Sequence, residues 1–163
     1  MGARAIKCLG AAVLRRPARP VSQFDATLFA LLDDLTATMQ AAEGVGLAAN
    51  QIGILRRAIV VLGDEGVVEL VNPVLQESSG ERVGVERCLS LPGRRLWIRR
   101  AARVVVTGQD RFGQSIRIEA VDRLARCLQH EMDHLDGWLI VDRQIRPTQQ
   151  RQEGRDDDDC KHA

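Results

Sequence analysis

The string His130-Glu131-Met132-Asp133-His134 constrains this chain more than any other feature. Residues four apart on an α-helix differ by about 40° of rotation and about 6 Å of rise, so both imidazoles leave one face. Such a pair can hold one divalent ion. Glu131, about 100° round the helix, can reach a water beside that ion without binding the ion itself. The geometry requires residues 121–136 to be helical, and their periodicity predicts it, with Gly137 as the stop. The chain has three histidines, and two of them stand in this string. The competing reading is a solvated helix face with accidental spacing.

A catalytic site of this kind needs a third protein ligand and an open position. Two cysteines compete for the place. Cys127 shares the helix with His134 but lies seven residues before it, about 10.5 Å along the axis. One ion cannot easily bond both. Cys88 sits in Glu86-Arg87-Cys88-Leu89-Ser90-Leu91-Pro92-Gly93, between β-like runs, and can approach from outside the helix. Cys88 is therefore the expected ligand, against the alternative of a buried core thiol.

The rest of the chain supplies the frame. Residues 25–42 read as an amphipathic helix, with Leu28, Leu31, Leu32, Leu35 and Met39 at helical spacing and Gly44 as a stop. Ser22 with Asp25 suggests a capping-box-like start. Ala58–Leu62, Val67–Val71, Arg103–Gln109 and Gln114–Glu119 are β-like, and Asp110-Arg111-Phe112-Gly113 joins the last two as a hairpin. Trp138–Val141 is a further short apolar run. A helix, several antiparallel strands and a second helix predict an α+β fold rather than a doubly wound sheet.

Composition narrows the function. At 163 residues and 45% hydrophobic, the chain suits one domain with a real core, which excludes collagen-like, coiled-coil and wholly disordered readings. The longest uncharged stretch, residues 44–55, contains three Gly, Asn50 and Gln51 and cannot be a membrane span. A net charge of +1, with two Trp, three Phe and no Tyr, gives no footprint for sequence-specific nucleic-acid binding. The scattered Cys8, Cys88, Cys127 and Cys160 read as reduced thiols, hence a cytoplasmic location. Residues 1–24 are basic and lack acids, as in a transit peptide, but contain no continuous apolar run and are broken by two prolines.

Gly44-Val45-Gly46-Leu47-Ala48-Ala49-Asn50-Gln51 offers a decoy, because Gly-x-Gly-x-x-Ala is also a dinucleotide-binding pattern. That pattern must follow a strand and open a helix. Here a helix precedes it and β-like residues follow, so the context is reversed.

Three strings, Gly-x-Gly-x-Ala-Ala-x-Gln, Glu-x-Cys-Leu-Ser and His-Glu-x-x-His-x-x-Gly, occur in that order, and together they resemble the peptide deformylase family. Residues 13–21 resemble that family's N-terminal segment, and the likeness spans about residues 5–145. The resemblance implies mostly antiparallel β-sheets packed around the metal helix. It also implies hydrolysis of the N-formyl group from newly made polypeptides by one divalent ion, Fe²⁺ or a substitute such as Zn²⁺ or Ni²⁺. On it, Cys88, His130 and His134 are the metal ligands and Glu131 the general acid/base. Gln51 and the Leu89 N–H stabilise the oxyanion, and Gly46 and Val45 bind the substrate backbone. Partners are then N-formylated nascent peptides, met in transient proximity to the ribosome.

Rival readings are a relative acting on another formamide and a catalytically silent metal-binding paralogue. Glu131 and Gln51 speak against the second, because binding alone needs neither. Arg87 departs from the family's usual glycine. On an extended segment it points away from Cys88, so the ligand survives. Arg126 and Arg123, four and seven residues before His130, should leave the same helix face. Both guanidiniums are expected to snorkel to the rim; a sharper expectation makes Arg123 a selector of the residue that carries the formyl group or follows it. Residues 1–147 read as the catalytic domain and 148–163 as a disordered acidic tail, ill suited to docking on ribosomal RNA. Ending the chain near Thr148 should leave folding intact and peptide turnover within about twofold, read from urea denaturation and formate release, since the deleted segment has no apolar face to bury.

Overall fold

The structure is a computed structural model that describes residues 2–146. The expected tail, 148–163, lies outside the described residues.

Helix α1 (Ala26–Ala41) follows the predicted leucine stripe. Its cap is Asp25 alone, whose carboxylate accepts from the N–H groups of Thr27 and Leu28. Ser22 is not the capping residue. The chain then forms β1 (Gly46–Ala48), a 3₁₀ turn over Ala49–Ile52, β2 (Ala58–Gly63) and the long β3 (Gly66–Ser79). A hairpin of β4 (Arg82–Cys88) and β5 (Leu91–Arg100) comes next, then β6 (Arg103–Gln109) and β7 (Ser115–Val121). The metal-motif helix is α2 (Asp122–Leu135), and the apolar run after it ends in one helical turn, α3 (Ile140–Arg143).

Five strands form one antiparallel sheet in the order β1-β2-β3-β6-β7, and β4-β5 stand apart as a two-stranded ribbon. This is the α+β architecture expected. The central run of β2 shows why the sheet is buried on both faces. Ile59 and Val61 join the cluster beneath α2 that contains Ala125, Leu128 and Leu135. Ala58 and Val60 face the other way, into the leucine stripe of α1. Alternate residues serve opposite helices, so the strand reads as continuously apolar. The ribbon carries a third cluster, in which Cys88, Leu91 and Ile98 meet Leu14, Leu139 and Ile140.

The ribbon escaped the sequence reading, as did β1 and the second half of β3. Arg82–Arg100 holds six arginines, a proline and two glycines, so its alternation is faint. It is held by pairing and by ion pairs that the linear pattern does not display.

The C-terminus of α2 is closed by Gly137 at φ 80°, with its N–H on the His134 carbonyl and that of Trp138 on Asp133. The N-terminal segment straps this end: Ala18 N–H donates to the Leu135 carbonyl at 2.8 Å. A Cβ at Gly137 would lie 2.6 Å from the Arg15 carbonyl oxygen. Gly137→Ala should therefore lower unfolding free energy by about 2 kcal/mol or more, read from urea denaturation, because backbone conformation and backbone clash both oppose the methyl group.

Candidate metal centre

Helix α2 turns His130 and His134 inward, at 2% and 1% exposure, and the end of β4 brings in Cys88. His134 Nε2 lies 3.2 Å from Cys88 Sγ and 3.2 Å from His130 Nε2. These three atoms all fall within 4.8 Å of one another, as one ion would require. Donors of this kind are borderline to soft, a set suited to Fe²⁺ or Zn²⁺ and unsuited to Mg²⁺ or Ca²⁺. Cys127 is not in the cluster; its thiol donates to the Val45 carbonyl at 3.3 Å.

The outer nitrogen of His130 has a dedicated partner. Its Nδ1 meets Glu86 Oε2 at 2.9 Å, which fixes the ring with Nε2 facing the other two donors. Glu86 is fully buried, and Arg100 grips it with two bonds, Nε to Oε1 at 2.8 Å and Nη2 to Oε2 at 3.0 Å. Arg126 Nη1 adds a third, 2.9 Å from Oε1. Burial pushes the Glu86 pKa up, but the bonds and charges of His130 and Arg100 outweigh it and hold the group ionised, well below the usual carboxylate range. Arg100 in turn reaches Asp133, which Arg143 holds from outside.

Glu86 and Arg100, which hold the His130 ring, are not among the residues the sequence singled out for the site. A usable signal existed: if Cys88 turns inward on an extended strand, so does the residue two before it. Arg126 corrects an expectation. It is only 9% exposed and bonds Glu86, the Ile98 carbonyl and the Arg82 carbonyl instead of snorkelling to the rim. Gly84 makes room for it, since a Cβ there would lie 3.0 Å from Arg126 Nη2.

Glu131 is fully buried beside the triad, and neither carboxylate oxygen has a hydrogen-bond partner among the described residues. Burial raises its pKa to about 7, with the charge of His130 opposing. Burial, and then the charge of His130, hold His134 well below its ordinary range, so it is neutral with a lone pair to give. Gly46 passes against Glu131, and a Cβ at that position would sit 2.5 Å from its Oε1 and 2.7 Å from Cys127 Sγ.

Gln51 accepts from the Ala48 N–H at 2.9 Å, which turns its amide nitrogen towards Ser90 Oγ at 3.1 Å and Cys88 Sγ at 3.7 Å. Leu89 follows Cys88 directly in the turn between β4 and β5. Val45 precedes β1, and its carbonyl accepts from Leu62 N–H as well as from Cys127. Arg123 is half-buried in the first turn of α2. Arg87 is half-buried beside Cys88. Cys88, His130, His134, Glu131, Gln51, Leu89, Gly46 and Val45 thus lie together, whereas no contact among the described residues brings Arg123, about two turns before His130 on α2, to them.

Comparison with known proteins agrees with this geometry. Residues 3–151 match the family model for polypeptide deformylase. The peptide deformylase of Caldicellulosiruptor bescii is 47% identical over 148 residues, covering 90% of this chain and 88% of the relative. That of Acidothermus cellulolyticus is 49% identical over 151 residues, covering 93% and 83%. The crystal structure of peptide deformylase from Thermotoga maritima superposes with a TM-score of 0.86 at 38% identity, covering 90% of this chain and all of that one. No helix among the described residues is long and apolar enough to cross a membrane. The chain belongs to the peptide deformylase family, metal-dependent hydrolases of protein biosynthesis that remove the N-formyl group from nascent polypeptides.

Proposed function

We propose that Cys88, His130 and His134 hold one divalent ion, Fe²⁺ in the cell with Zn²⁺ or Ni²⁺ as working substitutes, and that Glu131 carries the proton of deformylation. The observation that supports this most is the convergence of three metal-competent donors beside a buried carboxylate that has no hydrogen-bond partner among the described residues. When bound, the ion supplies Lewis acidity and makes water acidic enough to attack near neutral pH.

The chain's own residues do the rest. Glu131 takes a proton from the attacking water and returns it to the departing amine, a task suited to a group whose pKa lies near neutrality. The Gln51 amide nitrogen and the Leu89 N–H donate to the oxyanion that forms at the formyl carbon. The Ala48 N–H holds the Gln51 donor in place before substrate arrives. Strand β1 is an edge of the large sheet. There Val45 and Gly46 receive the peptide backbone as an added strand. Arg123 belongs to the wall that meets the side chain of the formylated residue. Residues 1–147 act as one catalytic domain in the cytoplasm, close to the ribosome only in passing.

Cys88→Ala or His134→Ala should abolish stoichiometric metal, whereas Glu131→Gln should keep the metal and lose formate release; Cys127→Ala should leave metal content near that of the unaltered chain. Metal analysis and formate release from formyl-Met-Ala-Ser by anaerobically prepared protein decide this. Metal loss in Cys127→Ala alone would reject the ligand set.

Glu86→Gln should weaken metal retention against a chelator by about 10- to 100-fold, because the His130 ring loses its charged anchor. Activity in the loaded enzyme should fall as pH drops and Glu131 protonates. A cation beside that carboxylate draws its pKa down, so the acid limb of kcat/KM should lie below about 7. An acid limb well above pH 7 would remove Glu131 from the role of base.

A further inference from the structure

A cavity of about 450 Å³ opens beside the triad, and its lining includes Cys88, Leu89 and Leu91 together with Arg87, Arg94 and Arg95. The ribbon's register explains why the arginines gather. Glu86 pairs with Leu96 and Cys88 with Leu91, so Pro92, Gly93, Arg94 and Arg95 stand opposite Arg87 alone. Gly93, at φ 77°, lets this excess turn outward. Arg94 and Arg95 are exposed.

Two further facts mark the pocket. Among the described residues that line it, none is acidic, and none pairs with Arg94 or Arg95 in an ion pair. Elsewhere Arg100, Arg103 and Arg111 each hold two carboxylates. The whole chain carries a formal charge of only +1, so the pair Arg94 and Arg95 is a local concentration of positive charge.

We infer that this pocket is an anion subsite for the peptide substrate, taking an aspartate or glutamate carboxylate a short way downstream of the formylated residue. The inference rests on the assignment of the triad as the deformylating centre. The cavity shares Cys88 and Leu89 with that centre, so its occupant lies in line with the formamide. An extended peptide advances about 3.3 Å per residue, so a cavity of about 450 Å³ that starts at Cys88 and Leu89 takes only the two or three residues nearest the formyl group. Guanidinium forks suit a carboxylate better than a point charge does. A phosphate of ribosomal RNA reaching the same depth would obstruct the path of the peptide, which favours the carboxylate.

The test uses the full-length, metal-loaded protein and three C-terminally amidated peptides: formyl-Met-Asp-Ser, formyl-Met-Ala-Ser and formyl-Met-Lys-Ser. Formate release should favour Asp over Ala and Ala over Lys. The arginines are solvated, so each step should be about three- to tenfold in kcat/KM and carried mainly by KM. It should shrink in about 1 M salt, where the Debye length is about 3 Å. Calorimetric titration with the deformylated peptides should show the same order without any turnover. In the double variant Arg94→Ser/Arg95→Ser both orders should collapse towards equality.

Equal kcat/KM and equal affinity for the three peptides would overturn the inference, as would a preference that survives the double substitution. If ribosome co-sedimentation, rather than peptide preference, is what the double variant loses, the patch meets RNA and the inference fails. Absence of formate from all three peptides would instead sink the deformylating assignment, and the titration order would then decide the subsite by itself.

Discussion

Glu86 has no exposure at all, and an isolated carboxylate in that position would cost several kcal/mol in lost hydration. It persists as an ion because Arg100, Arg126 and His130 surround it. The partners come from different elements: Glu86 from β4, Arg100 from β5, and Arg126 with His130 from α2. The network therefore ties the ribbon that carries Cys88 to the helix that carries both histidines. Loss of one member would leave the others as buried, uncompensated charge, typically about 3–5 kcal/mol.

The same joint sets the chemistry. With Glu86 ionised and bonded to Nδ1, His130 presents Nε2 to the centre, and the ring cannot turn without abandoning the carboxylate. Glu131, one residue on, receives the opposite treatment. It is equally buried and has no cation clamped to it, so its proton affinity rises towards neutrality while that of Glu86 falls. Two buried glutamates thus show opposite protonation behaviour through their surroundings alone.

Small residues complete the arrangement where groups approach too closely for a side chain. Gly46 lets β1 pass Glu131, and Gly84 lets β4 pass the Arg126 guanidinium. Both act by lacking a Cβ. The sandwich behind them is conventional packing: α1 and α2 clasp the sheet through alternate residues of β2, and α2 cannot shift without disturbing Ile59, Val61 and Leu128 at once.

Much of this was legible beforehand. The helical run over residues 121–136, its stop at Gly137 and the inward pair His130 and His134 follow from local periodicity, which a helix expresses whatever packs around it. The leucine stripe of α1 and the β6–β7 hairpin are local in the same sense. The choice of Cys88 over Cys127 rested on rise per residue, again a local quantity. Other features are non-local and could only be decided by tertiary structure. Arg126 looked like a rim residue because nothing nearby in the chain reveals that Glu86, 40 residues earlier, would be waiting for it. The β4–β5 ribbon, rich in arginine and poor in alternation, gains its strand character from pairing and ion pairs. Local spacing determined which side chains leave one face of one element. Long-range pairing decided which charges would be buried together, because the energy that keeps a buried ion depends on partners the chain supplies from far away.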